Sequence, residues 1–125
     1  MTNVSFERIR LHNLCEQTLN KFKNFAYSSS SLYPVPLVEE AMKFRTKIID
    51  LKDPNFEMND QSLREIERER KEIERGIEDF SYYYDLVIEN INGMNDYDKQ
   101  EMFFALTKMN FKVVEEIIDK NSSTQ

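Results

Sequence analysis

One cysteine, two glycines and no apolar run longer than "MFFAL" at residues 102 to 106 mark this 125-residue chain, and each scarcity closes off a class of protein. A lone Cys15 cannot form an internal disulfide, which fits a reducing compartment, so a cytoplasmic protein is expected. A five-residue apolar run is far short of the ~20 residues a membrane span needs. The N-terminus lacks the basic flank and apolar block of a secretory signal. The two glycines, Gly76 and Gly93, lie too far apart for a glycine-rich phosphate loop. With so little glycine and no sustained alternation of period two, no segment reads as a strand. The length suits a single domain, residues 1–125, that can bury a core without covalent staples.

Charge is plentiful but unevenly placed. The net charge is -6, yet residues 1–75 carry 13 acidic and 13 basic side chains, while residues 76–125 carry 10 acidic and 4 basic. The second half holds the whole excess and would repel a phosphate backbone over much of its surface. Its many aromatic residues argue against a disordered acidic tail.

Breaker-rich stretches at 27–36, 53–60 and 92–96 divide the chain into four helical segments, at about 5–27, 36–52, 60–92 and 97–120, followed by a flexible tail at 121–125. The first carries Phe6, Ile9, Leu11, Leu14, Cys15, Leu19, Phe22 and Phe25 at roughly helical spacing. In the second, Leu37, Ala41, Phe44, Ile48 and Leu51 recur at three- and four-residue intervals, with Val38, Met42 and Ile49 as an outer row. Asp53 before Pro54 should end that helix.

The third segment opens at the cap candidates Asn59 and Asp60 and closes at Gly93. Leu63, Ile66, Arg70, Ile73, Ile77, Phe80, Tyr84, Val87 and Ile91 follow a heptad seam through both its charge-rich and its aromatic half. A helix over 60–92 spans about 50 Å, longer than the roughly 36 Å diameter of a compact chain of this size. Helix two is expected to fold back along it as an antiparallel hairpin. Arg70 stands in the seam, where a charge is tolerated for register or partner specificity, or because its long stem lets the guanidinium reach water; Arg70→Leu should raise stability modestly and leave the oligomeric state less defined. Tyr82 and Leu86 point away from the seam.

The fourth segment opens at the cap candidates Asn95, Asp96 and Asp98. On a single helix its apolar side chains cover an arc of about 220°, twice the ~100° stripe of an ordinary surface helix. Within it, "ALTKMNF" at residues 105–111 resembles the Met-Gly-Phe turn of ubiquitin-associated domains, with Asn110 in place of the glycine. That resemblance covers one loop, and such domains need a further helix for which only seven residues follow Ile118. The arc therefore predicts one continuous helix over 97–120. The fold expected is an all-α, four-helix bundle-like domain.

Catalytic constellations are sparse. His12, Cys15 and Glu16 share one side of the first helix, but three ligands on one turn with no second His or Cys make a poor metal site. Cys15 reads as a core residue and His12 as a boundary residue. The acidic neighbours Glu39 and Glu40, Asp96 and Asp98, and Glu115 and Glu116 diverge around a helix and read as caps or solvated faces. No enzyme, cofactor or metal is expected. The functional expectation is a self-associating acidic adaptor, regulator or inhibitor, a homodimer that also meets another protein with a basic contact surface, the partner or dimer interface being Tyr82, Leu86, Phe104, Phe111 and Ile118. The alternative is a nucleic-acid-associated protein using Arg64, Arg68, Lys71 and Arg75 on the long helix.

Overall fold

The computed structural model describes residues 4–28 and 34–122. Residues 1–3, 29–33 and 123–125 lie outside the described residues, and with them the middle of the serine-rich break and most of the expected tail. The described residues form five α-helices: α1 (Phe6–Ser28), α2 (Val35–Ile48), α3 (Asp60–Asn90), α4 (Asp96–Thr107) and α5 (Phe111–Ser122). A 3-10 turn, Ile49–Lys52, prolongs α2. The architecture is all-α, helix packed on helix, with no strand among the described residues. Asn121 and Ser122, expected in the tail, belong to α5.

α3 is the spine. Its N-cap is Asn59, whose side chain accepts a hydrogen bond from the Ser62 N–H at 2.8 Å. Its far end turns at Gly93, where φ is +91°, a conformation that costs glycine little. Along the first half, Ile66, Ile73 and Ile77 pack with Cys15 of α1 and with Leu37, Phe44, Ile48 and Leu51 of the second segment. Lys47 pairs with Glu69 at 2.6 Å, and Leu37 lies against Gly76, so α2 runs antiparallel to α3 as the hairpin reading requires. A Cβ at Gly76 would stand 2.7 Å from Leu37 Cδ1. The missing side chain is what lets α2 approach so closely.

α1 fills the other side of this half. Arg8 Nη2 donates to the carbonyls of Asp50 and Asp53 near the start of α3, while Lys21 reaches Glu74 at 3.7 Å, so α1 runs parallel to α3. Phe25 meets Phe80 edge-on at 5.5 Å. Phe25 and Met109 each pack against both core clusters and join them.

The segment that closes over the second half of α3 departs from the expectation of a single helix over 97–120: it forms α4 and α5. The chain breaks at Lys108–Asn110, inside "ALTKMNF". Met109 takes a left-handed φ of 58°; its N–H donates to the Leu106 carbonyl at 2.9 Å and the Asn110 N–H to the Ala105 carbonyl at 2.8 Å. Those two bonds satisfy the last carbonyls of α4 in the manner of a Schellman cap. α5 then folds back on α4. Asp98 in the first turn of α4 accepts from the Asn121 side chain at 3.2 Å and pairs with Lys120 at 3.4 Å at the end of α5. The 220° arc is thus divided between two helices, Met102, Ala105 and Leu106 facing Val114, Ile117 and Ile118, closed over Phe80 and Val87.

Arg70 also differs from expectation. Its guanidinium does not escape to water: the side chain is 14% exposed and is gripped by Glu67 and Glu74 of its own helix. Nε and Nη2 donate to the two Glu67 oxygens at 2.9 and 2.5 Å, and Nη1 donates to Glu74 at 3.1 Å.

Candidate interaction surface

The residues singled out in the C-terminal half separate into three environments. Ile118 packs into the core with Val114 and Ile117. Leu86 and Phe111 are half-buried against that core. Tyr82 and Phe104 face solvent, each 62% exposed.

An aromatic ladder runs across the joint between α3 and α5. Tyr82 meets Tyr83 edge-on at 5.1 Å, and Tyr83 stacks on Phe111 at 4.3 Å with planes 6° apart. The Tyr83 hydroxyl donates to Glu115 at 2.5 Å, and that bond, with the Glu115 charge beside it, pushes the phenol up to about 12. The ladder was legible in the "YYY" run only in part, because its Phe111 rung depends on the turn at Met109. On α4, Tyr97 and Phe104, seven residues apart, form a second outward stripe. Tyr97 donates to Glu101 at 2.9 Å, which raises its phenol as well, and Lys108 lies 4.4 Å from the Phe104 ring centroid.

In the N-terminal half the basic candidates share one face. Arg64, Arg68, Lys71 and Arg75 are exposed along the outer side of α3, opposite Ile66, Ile73 and Ile77. Arg68 lies 3.9 Å from Glu72 and Lys71 lies 4.0 Å from Glu67, both loose contacts. Between α1 and α2, and lined by no residue of α3, runs an apolar groove of about 410 Å³, floored by Leu19, Phe22, Ala41 and Met42 with Lys23 and Arg45 at its rim.

The chemistry-bearing residues of α1 are turned inward. Cys15 is fully buried, and burial pushes its thiol up to about 12 against the opposing pull of Arg70. A nucleophilic cysteine needs the reverse shift. His12 is buried too, with Nε2 3.6 Å from Glu16 and Nδ1 without a hydrogen-bond partner. Among the described residues no three His, Cys, Asp or Glu side chains converge as a metal would require. Glu40 contacts Glu72 and Glu69 across α2 and α3 rather than acting with its neighbour Glu39; partial burial first, then those two charges, raise its carboxyl. Sequence spacing did not show that cluster, because it depends on the register of the hairpin. No helix among the described residues is long and apolar enough to cross a membrane.

Comparison with protein-family models, curated proteins and solved structures finds no match for this chain.

Proposed function

We propose that this chain is a non-enzymatic protein–protein interaction module, a small acidic helical adaptor, regulator or inhibitor of the cytoplasm that associates with itself. The observation that carries the reading is the outward placement of Tyr82 and Phe104 on helices whose inner faces are already closed over a packed core. Large aromatic side chains are enriched at the centres of protein interfaces. They sit here in a half of the chain with 10 acidic and 4 basic residues, which fits a partner with a basic contact surface. The buried Cys15 thiol is consistent with a reducing compartment.

Sedimentation and light scattering over a concentration series test the reading. The wild-type protein should associate, and Tyr82→Glu and Phe104→Glu together should weaken association while circular dichroism stays unchanged. A wild-type chain that is strictly monomeric at high concentration ends the self-association proposal.

A second reading, nucleic-acid association, is favoured by the shared exposed face of Arg64, Arg68, Lys71 and Arg75. Glu65, Glu67 and Glu72 flank that face and oppose a phosphate backbone. Absence of DNA or RNA binding by fluorescence anisotropy at low salt would remove this reading, since a phosphate reader binds tightest there.

A further inference from the structure

The outer face of α3 is two surfaces in series. Through its first half it carries Arg64, Arg68, Lys71 and Arg75, and through its second half Glu78, Tyr82, Asp85 and Glu89, all exposed. Successive members lie three or four residues apart, so on a helix they form one continuous stripe about 38 Å long at 1.5 Å per residue. The stripe lies opposite the buried seam of Ile73, Ile77 and Phe80, and the flanking contacts of α3 leave it uncovered: Lys21 reaches Glu74 on one side, and Lys47 reaches Glu69 on the other.

A helix face that is cationic at one end and anionic at the other is complementary to itself when inverted. We propose that two copies of this chain pair through the outer faces of α3, antiparallel about a two-fold axis that crosses the helix near Gly76 and Ile77. In that register Arg64 faces Glu89 of the second copy, Arg68 faces Asp85, Lys71 lies against the Tyr82 ring, and Arg75 faces Glu78. Each contact occurs twice, as an isologous interface requires. The Lys71 contact would be a cation–π pair, which accounts for an exposed tyrosine in an otherwise charged stripe. Any other occupant would have to bring the same alternation of charge; a second copy has it by construction.

This pairing rests on the self-association reading and specifies its surface. Salt titration alone is a poor test, because each chain carries -6 and the two copies also repel at long range. Screening weakens that repulsion together with the contact pairs. Charge exchange separates the two. One variant carries Arg64→Glu and Arg68→Glu; the other carries Asp85→Lys and Glu89→Lys. All four positions are exposed, so each variant should keep the wild-type circular dichroism spectrum. Alone, each places like charges at four contacts and should dimerise at least about tenfold more weakly than wild type. Mixed in equal amounts they restore opposite charges at every one of those contacts, and sedimentation velocity should show a heterodimer of wild-type strength. If wild type associates and both variants do so equally well alone, the α3 face is not the interface, although self-association stands. If the variants are monomeric and their mixture remains so, the antiparallel register is wrong. A wild-type chain that never associates overturns both this pairing and the reading beneath it.

Discussion

Replacing Arg70 by leucine should destabilise the protein by about 1 kcal/mol at neutral pH, the opposite sign to that read from the heptad pattern alone. In the pattern, an arginine among Ile66, Ile73 and Ile77 is a blemish that an apolar residue should repair. In the structure, the guanidinium makes three hydrogen bonds to Glu67 and Glu74. Partly exposed pairs of this kind each contribute roughly 0.5 to 1 kcal/mol, with the paired contact to Glu67 at the upper end. Glu67 and Glu74 are each about a third exposed, so on losing Arg70 they turn to water and escape the several-kcal/mol penalty of an orphaned buried charge. Leucine recovers part of the packing made by the arginine stem, on the order of 0.5 kcal/mol.

The pH dependence separates pairing from packing. The hydrogen bond from Arg70 holds the Glu67 carboxyl below its ordinary range. A depressed folded-state value contributes stability above the unfolded value, about 4.3, and loses it as pH falls through the folded one. Urea unfolding followed by circular dichroism should therefore show wild type ahead at pH 7 and a narrower gap at pH 3. An equal gap at both values would mean that the arginine stem, not its charge, is what matters. A variant more stable than wild type at pH 7 would refute the account.

Gly76→Val should cost roughly 2 to 3 kcal/mol, because its Cβ would overlap Leu37 in a closed core and the γ-methyls add to the crowding; a smaller change in chemical denaturation would show that α2 can move away freely. Cys15 should react with a thiol reagent at pH 8 at least about 100-fold more slowly in the native state than in urea, since burial removes both access and thiolate. Labelling at comparable rates would overturn its place in the core.

Local periodicity carried much of the fold. Leu37, Ala41, Phe44, Ile48 and Leu51 were legible as an inward row, and all five are buried, because side-chain direction along a regular helix follows from spacing alone. Ile66, Ile73, Ile77, Phe80 and Val87 were legible for the same reason, as was the turn at Gly93. The exposed position of Tyr82 followed from the seam; the exposure of Phe104 and the burial of Ile118 did not, because the wheel put both in one apolar arc and their separation depends on where α5 goes. The sequence by itself determined which faces are apolar. Only the tertiary structure decided what they meet. A helical wheel presumes an unbroken axis, and Met109, a side chain with no special preference for positive φ, breaks that axis because the two resulting helices bury Met102, Leu106, Val114 and Ile117 against one another. The fate of Arg70 was decided the same way: spacing placed it in the seam, but only the packed helices show its charge held by two carboxylates instead of by water.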